Sequence, residues 1–458
     1  MKKSILAVVI LLLSIASLPS IGNSFIKNSI DERLVELKSF GLETSKDESH
    51  SSYLNTSRHF EFLLKDSQNF LNHLKQYPDK QIPPYVNAML EGVLIGVDIE
   101  YSNLPFAKAF EIEIYPMELS PRMSEELKFS DINFYKYTEN FLQNKGVLYH
   151  IEYNLLNDDF KGYIKDINEK HVLKDGTKLI LAIEKAKFHG NGELLAPKEL
   201  SSKVKEFHFD VSRDEKSLNI LMSKFKSTSN FESVNTYITS VDIEKTLVSL
   251  KGTANDVNIS MESLRANASS NEQGQSTQIN SKTSIKSLEF SSEQVTFNME
   301  KFNFDVALSG LDKKEYTNFT QLLSQNNTMM TTASTSALQT SAMTLLSKGI
   351  VLEIADFSLE EFSKNKDDSI KGFDIKSNFT FKEDKDLVQK MRLSPLMVIP
   401  NISVESEIRI SKEMYTKLKR NNFILARLNG YEKEDGDDYI FSFKFIDAKA
   451  SVNGKSLN

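Results

Sequence analysis

The strongest constraint on the fold is a period-two alternation of apolar and polar residues that recurs along most of the chain. Residues 373–381 alternate Phe and Ile with Asp, Lys and Asn, and residues 402–410 alternate Ile and Val with Ser, Glu and Arg. Successive side chains of a β-strand point to opposite faces, so this pattern predicts strands with one apolar and one wet face. Such strands are typical of antiparallel sheets.

Further stretches with the same alternation extend the strand prediction to both halves of the chain. They cover residues 110–114, 147–153, 179–183, 207–211, 237–243, 257–264, 285–290, 295–308 and 439–452. In the stretch 295–308 the apolar residues change from odd to even positions at Glu300 and Lys301. A slip of one residue sends every side chain to the other face, so this change predicts a β-bulge or a strand break there. A similar change falls at Phe445 and Ile446.

Helical periodicity is confined to a few segments. Residues 312–325 have Asp312 as a capping residue and an apolar stripe, and residues 334–347 end before a glycine. A short helix is predicted over residues 411–421. The polar stretches 43–52 and 266–281 are predicted as loops, the second as a mobile loop or a long hairpin tip.

The predicted fold class is α+β and β-rich: an extended, twisted antiparallel sheet with a few inserted helices behind an N-terminal transmembrane helix. Residues 26–40 are predicted as a juxtamembrane helix, and residues 58–76 as either a strand followed by a helix or one helix. The domain assignment is a signal anchor over 1–26, a juxtamembrane helical region over 27–80, and two β-rich halves over 81–230 and 231–458, the latter with inserted helices at 312–348.

The first twenty-six residues predict where the chain resides. Lys2 and Lys3 precede residues 5–18, which contain no ionisable group. As a helix, residues 4–26 would be about 34 Å long at about 1.5 Å per residue, enough to cross a bilayer core of about 30 Å. The lysines would stay in the cytoplasm, which places the bulk of the chain in the periplasm. The alternative is a cleaved signal peptide, with Ser20 to Gly22 as the cleavage site and a soluble periplasmic product.

Composition excludes several classes of function. The 458 residues carry a net charge of -7 with lysines interspersed among the acidic residues, and nucleic-acid binding needs a basic face instead. The chain has no cysteine, which excludes disulfides, thiolate metal sites, a cysteine nucleophile and lipoprotein processing. We expect no nucleic-acid partner and no cofactor.

The sequence contains no recognisable catalytic or metal-binding motif. None of the seven histidines pairs at the helical zinc spacing, no serine lies in a nucleophile elbow, and no glycine-rich loop could hold phosphate. His150, Glu111 and Glu113 are interpreted as residues of a solvated sheet face, and the acidic stretch 432–438 as a solvated turn rather than a calcium loop. We therefore assign no catalytic, cofactor-binding or metal-binding residues and expect no enzymatic activity.

One modification motif is specific enough to name. Asp256, Asn258 and Ser260 match the extended acceptor of bacterial N-glycosylation, in which an acidic residue lies two positions before the asparagine. The predicted strand over residues 257–264 would place Asn258 within a sheet. Modified and unmodified Asn258 both remain open at this stage.

The order of several segments resembles the YdgA-like family of bacterial envelope proteins of unknown function. The resemblance rests on residues 1–9 (MKKSILAVV), 308–312 (LSGLD) before a helix, 345–350 (LLSKGI) entering a strand, 402–410 before a helix, and 450–455 (ASVNGK). It implies a protein of Gram-negative bacteria with a retained inner-membrane anchor, a periplasmic body and no assigned catalytic residues. It also admits self-association.

Two functions are consistent with these observations. The first is binding or scaffolding in the cell envelope by a membrane-tethered protein. The alternative is a carrier of lipid or another hydrophobic ligand, similar to AsmA-type envelope proteins, whose long sheets shelter acyl chains. The apolar rows of residues 295–308, 373–381 and 402–410 favour the carrier unless they are ordinary core. The partners considered are the inner membrane, a second copy of the chain and lipid.

Overall fold

A computed structural model describes residues 30–74, 84–104, 109–193, 196–233, 235–252, 256–325, 332–364, 368–420 and 425–457, apart from positions 32, 33, 36 and 426. The chain divides into two compact units, Met1–Lys205 and Glu206–Asn458. The predicted membrane anchor and signal peptide fall on residues 1–26, outside the described residues. Within the described residues, no helix combines the length and the apolar character needed to cross a bilayer.

Antiparallel strands dominate both units, which confirms the β-rich prediction. The first unit contains β1 Leu42–Ser51, β2 Asn55–Leu64, β3 Leu94–Ser102, β4 Ala109–Glu118, β5 Tyr149–Asn154, β6 Asp159–Ile164, β7 Ile167–Val172, β8 Lys178–Glu184, β9 Ala186–Glu193 and the start of β10 Ala196–Arg213. The second contains β11 Lys216–Ser233, β12 Thr236–Lys251, β13 Val257–Gln273, β14 Ser276–Ser292, β15 Thr296–Asp312, β16 Ile350–Ser363, β17 Ser369–Phe381, β18 Ile402–Ser411, β19 Lys433–Asp435, β20 Asp438–Ile446, β21 Lys449–Val452 and β22 Lys455–Ser456.

The helices are short and lie between strands. They are α1 Ser67–Leu74, α2 Pro84–Leu90, α3 Pro121–Ser130, α4 Ile132–Gln143, α5 Lys313–Gln325, α6 Thr332–Leu346, α7 Leu387–Leu393 and α8 Lys412–Lys419, with a 3-10 helix at Pro395–Asn401. Residues 30–31, 34–35 and 37–39 are also helical, as predicted for that part of 26–40. Helix α5 begins after Asp312, whose Oδ1 accepts a hydrogen bond from the Glu315 amide at 3.0 Å, as expected of the capping residue.

In the first unit, β1 to β6 pair in sequence and β6 continues to β9, which pairs with β10. One face of this sheet is apolar, and there Leu42, Phe60, Phe62 and Leu64 are buried. The described helical residues at 30–31, 34–35 and 37–39, together with α1, contribute Ile30, Leu34, Leu37 and Phe70 to that core. The opposite face of β2 to β5 is therefore the polar one.

In the second unit, β11 to β18 pair in sequence and β20 pairs with β18. The strands β11 to β15 are 16 to 18 residues long. The buried side chains gather where α5 to α8 pack on the sheet. They are Leu311, Leu345 and Ile350; Phe381, Leu387 and Val398; and Leu359, Ile370, Ile410, Met414, Tyr415, Phe441 and Val452.

Several local predictions need correction. Residues 43–51 form β1 instead of a loop, and residues 58–76 follow the strand-then-helix alternative through β2 and α1. Of the two forms predicted for residues 266–281, the mobile loop is wrong and the hairpin tip is confirmed, because β13 continues to Gln273, β14 begins at Ser276 and the two strands pair up to this tight turn. Small and polar side chains hide the strand signal, since Ile279 is the one large apolar residue of this stretch.

The end of the chain contains a hairpin instead of one strand. Asp447 and Ala448 have positive φ values of 49° and 61° between β20 and β21. Two successive left-handed residues are typical of a tight hairpin turn whose twist matches the flanking strands. This turn accounts for the change of parity at Phe445 and Ile446.

Candidate functional site

The sheet of the second unit has one predominantly apolar side, which we call the apolar face. Three rows of directly paired residues cross strands β11 to β14 on this face. They are Met222, Thr246, Met261 and Leu288; Ile220, Val248, Ile259 and Phe290; and Leu218, Leu250, Val257 and Ser292. A further row on the same face joins Ile243, Leu264 and Ile285. These rows contain no charged residue, although each of the strands is at least 16 residues long.

The opposite side of the same strands, the polar face, carries Ser, Asn and charged residues. Arg265 Nε lies 3.6 Å from Asp242 Oδ1, and Lys282 Nζ lies 3.0 Å from Asp305 Oδ2. Asn258, the proposed glycosylation acceptor, is exposed on this face, where its Oδ1 accepts a hydrogen bond from Ser249 Oγ at 2.6 Å. The sheet is therefore amphipathic across its thickness, as the alternating sequence predicts.

Helices cover only part of the apolar face. One buried cluster contains Met414 and Tyr415 of α8, and Met299, Phe302 and Phe373 pack against that cluster. Helices α5 and α6 pack near Ile279 and Leu308. Most apolar residues of β17 and β18 belong to a buried cluster or pack against one, as expected if residues 373–381 and 402–410 are ordinary core. In contrast, among the described residues no side chain of β11, β12 or β13 belongs to a hydrophobic cluster of buried residues. Their apolar rows are half-buried.

Aromatic rings mark the boundary between the covered and the uncovered part. Phe290 of β14 stacks on Phe297 of β15 with ring centroids 5.0 Å apart, and Phe297 stacks on Phe362 of β16 at 6.3 Å. Phe357 and Phe373 meet edge to face at 5.0 Å. These contacts continue the apolar face without interruption from the uncovered strands to the helix-covered ones.

A line of unpaired residues, which we call the seam, crosses the same sheet. At the same level of each strand pair from β11–β12 to β16–β17, one or two residues of each strand have no ladder partner across that pair, although the register on both sides is unchanged. The seam residues are Lys224, Glu244, Ser263, Lys286, Lys301, Glu360 and Gly372.

Left-handed backbone explains the seam. Lys224, Ser263 and Lys301, on alternate strands, have φ values of 51°, 50° and 51°. Strand β15 neither breaks nor shifts its pairing with β14 at Lys301, so both predicted forms of the Glu300–Lys301 irregularity are wrong. The left-handed residue changes the parity of the side chains, and Met299 and Phe302 therefore pack in the same cluster.

The polar face of the first unit brings together residues that the sequence left apart. Cross-strand pairing aligns His59, Asp98, Glu113 and His150 in one row of β2 to β5, which we call the polar ladder. His59 Nδ1 donates to Asp98 Oδ1 at 2.6 Å, and His150 Nδ1 lies 3.9 Å from Glu113 Oε1. A cavity of about 320 Å³ lies against this row.

Lys145, which follows α4, neutralises the centre of the polar ladder. Its Nζ lies 2.7 Å from Asp98 Oδ2, 2.6 Å from Glu113 Oε2 and 4.3 Å from the Tyr115 ring centroid. Burial opposes ionisation of Asp98, but hydrogen bonds from Lys145, His59 and Tyr115 hold the pKa of its carboxyl below the ordinary value. Burial and the Asp98 carboxylate raise the pKa of Tyr115 to about 12.

His59 in the polar ladder does not have the partners of a catalytic-triad histidine. His59 Nε2 lies 3.5 Å from Glu61 Oε1, and a triad would place a hydroxyl or thiol nucleophile there. His150 is not solvated as predicted: its side chain is 14% exposed and its ring stacks on Tyr163 at 4.9 Å. Glu111 is paired directly with Glu100, and both are exposed.

The acidic stretch 432–438 is held by cations of the chain itself. Asp438 is 3% exposed, and both of its carboxylate oxygens lie 2.7 Å from Lys371 Nζ. Arg409 Nη1 lies 2.8 Å from Asp435 Oδ2, and Lys412 Nζ lies 2.6 Å from Glu434 Oε2. The described residues contain no group of three or more His, Asp or Glu arranged to hold a metal ion.

Sequence reasoning missed α3, α4 and the Lys145 that follows them. The signals for both helices were present in the sequence. Ser120 precedes Pro121, and its hydroxyl accepts a hydrogen bond from the Met123 amide. Asp131 caps α4 by accepting a hydrogen bond from the Asn133 amide.

Comparisons of the chain with protein-family models, with curated proteins and with solved structures give no match.

Proposed function

We propose that this protein holds the acyl chain of a lipid against the uncovered apolar face of β11 to β14. The observation that carries the proposal is the difference between the two parts of that face. Buried hydrophobic clusters that include residues of α5 to α8 cover the part formed by β15 to β18 and β20. In contrast, the apolar rows of β11 to β13 are half-buried and belong to none of these clusters. A large partly exposed apolar surface is typical of an interaction site. This choice favours the carrier alternative over a scaffold without a ligand.

The chemistry of the face favours hydrocarbon over a protein partner. Protein interfaces make about one hydrogen bond per 100–200 Å² and include polar groups around their centre. The three rows of β11 to β14 offer only the hydroxyls of Thr246 and Ser292, and Thr246 Oγ1 is buried without a hydrogen-bond partner. Met222 and Met261 add flexible side chains that adapt to irregular apolar ligands.

The length of the strands also suits an extended acyl chain. At about 3.3 Å per residue, the 17 residues of β13 extend for about 56 Å. The hydrocarbon of one bilayer leaflet is about 15 Å thick, so a chain of that length fits on one side of the seam. The polar face opposite would remain in water.

The proposal includes the envelope location. The apolar residues 5–18 behind Lys2 and Lys3 support an inner-membrane anchor with the sheet in the periplasm, and the YdgA-like resemblance supports a retained anchor over a cleaved signal peptide. An anchored sheet with an apolar face would lie within reach of the lipids that it holds.

Site-specific photo-crosslinking in cell membranes tests this function in the full-length chain. A photoreactive phenylalanine replaces Val248 or Ile259 on the apolar face, and Ser249 or Asn258, one residue along on the polar face, serve as matched controls. After illumination, intact-mass spectrometry is expected to show a lipid adduct at positions 248 and 259 and none at 249 and 258.

Three other outcomes would contradict the proposal. A crosslinked dimer at Val248 would show that a second copy covers the face, and a crosslink to residues 1–29 would show that the chain covers it itself. Equal lipid adducts at Val248 and Ser249 would mean that the sheet merely lies near the membrane. Intact mass separates a lipid adduct from a dimer, peptide mapping after proteolysis identifies a crosslink to residues 1–29, and the adduct yields at positions 248 and 249 decide the last case.

A further inference from the structure

The geometry points to a hinge: we propose that the seam is a line about which the sheet of the second unit bends, so that the apolar face closes around its ligand. The closure rests on the function proposed above, whereas the bending does not.

The backbone is weakest along the seam. The ladder is interrupted at the same level in successive strand pairs from β11–β12 to β16–β17, so the interruptions form one line across the sheet. Lys224, Ser263 and Lys301 adopt left-handed backbone there, which is unfavourable for residues other than glycine. A line without paired ladder positions resists bending less than the regular ladders on either side.

The ion pairs of the seam do not brace the two halves of the sheet against each other. Lys224 Nζ lies 2.6 Å from Glu244 Oε2, and Lys301 Nζ lies 2.7 Å from Glu360 Oε2. Both pairs join neighbouring strands along the line, and their four side chains are more than half exposed, so these pairs are weak. Lys286 Nζ, also in the seam, lies 3.4 Å from Glu262 Oε2, one residue from the seam on β13. None of these three pairs joins one half of the sheet to the other.

The apolar side of the seam is deformable where the face is uncovered. The row beside it contains Met222, Met261 and Met299, whose unbranched side chains repack easily. At β15 to β17 a buried cluster covers the line, because Met299 and Phe302, on either side of the seam, both pack against the cluster that contains Met414 and Tyr415 of α8. The structure therefore leaves the β11 to β14 part of the hinge free and fixes the β15 to β17 part.

Distances between spin labels test the hinge in the full-length chain, whose lack of native cysteine makes the labelling specific. Asn258→Cys with Arg265→Cys spans the seam by seven residues of β13, or about 23 Å at 3.3 Å per residue. Arg265→Cys with Asn271→Cys lies on one side only, at about 20 Å. All three positions are exposed, so the labels need not disturb the core.

Without ligand, we expect the distance distribution of the spanning pair to be at least twofold broader than that of the control pair. Saturating palmitate should narrow the spanning distribution and leave the control unchanged. Equal widths in the ligand-free chain would overturn the hinge. A broad spanning distribution that palmitate does not narrow would preserve the hinge and overturn the closure around an acyl chain. The photo-crosslinking experiment tests acyl-chain binding separately.

Discussion

At the scale of single residues, Lys145 is the charge on which the polar ladder depends. It lies within 2.7 Å of both Asp98 and Glu113, which are neighbours on adjacent strands and would otherwise repel each other. Burial disfavours the charged form of Lys145, but hydrogen bonds to Asp98 and Glu113 outweigh it and raise the pKa of the ammonium group. Lys145 therefore places one cation between two adjacent carboxyl groups.

Replacing Lys145 by Met should lower the free energy of unfolding by about 1–3 kcal/mol, because two partly buried carboxylates lose their cation. The change is read from the urea midpoint followed by circular dichroism. Lys161→Met is the matched control, since Lys161 pairs with Glu152 at 2.8 Å on the same sheet but is 68% exposed. Its effect should stay below about 1 kcal/mol. Equal losses in the two variants would show that Lys145 is an ordinary surface cation.

At the scale of elements, the seam shows how a strand can change parity without a register shift. Lys301 in β15 and its counterparts in β11 and β13 each insert one left-handed residue, and the neighbouring strands also leave one residue unpaired. In β17 the seam position is Gly372, where a Cβ would overlap the carbonyl oxygen of Leu359. The irregularity therefore belongs to the whole sheet and not to one strand.

The cost of this conformation can be measured at Lys301. Lys301→Gly relieves left-handed strain of about 1 kcal/mol and loses an exposed ion pair worth less, so the free energy of unfolding should stay constant or rise by up to about 1 kcal/mol. Lys282→Gly is the control, because Lys282 has one carboxylate partner and the same 62% exposure within a regular strand. The free energy of unfolding of this control should fall by about 0.5–1 kcal/mol. A larger loss at position 301 than at 282 would contradict the strained assignment.

At the scale of the whole molecule, carboxylates with lowered pKa values link stability to pH in both units. Burial opposes ionisation of Asp438, but Lys371 and Arg409 outweigh it and hold its pKa below the ordinary value, as Lys145, His59 and Tyr115 do for Asp98. The native state thus binds fewer protons than the unfolded chain near an aspartate pKa of about 3.9. The stabilisation is complete above that pH and is lost as the pH falls below it.

The free energy of unfolding should therefore be nearly constant from about pH 7 to pH 5 and fall steeply below about pH 4. Urea titrations at several pH values measure this dependence. Asp438→Asn should be less stable than the parent at pH 7 and should lose less on acidification, because one of the linked groups is gone. Parallel curves for the two proteins would show that Asp438 does not contribute to the acid transition.

The sequence predicted the strands best where large apolar residues alternate with charges. Residues 373–381 and 402–410 lie in β17 and β18, and helix α5 begins next to its predicted capping residue Asp312. The alternation did not reveal the strands at 266–281, where small and polar residues occupy nearly every position on both faces. It also failed for α3 and α4, whose apolar residues were not recognised as helical stripes.

The candidate site was predictable only in part. The alternation placed the apolar residues on one face, but it did not distinguish the covered rows of β17 and β18 from the uncovered rows of β11 to β14. Likewise, Glu113 and His150 were visible as sheet-face residues, whereas Lys145 and Asp98, separated by 47 residues, were not connected. Each of these relations joins segments far apart in the chain.

The amino-acid sequence by itself determined that this chain forms amphipathic antiparallel strands, because side-chain alternation is a local property of the extended backbone. Only the tertiary structure decided which part of the apolar face the helices cover, where the seam crosses the sheet and which cation reaches the polar ladder. Those features depend on contacts between distant segments, and no period within one segment encodes them.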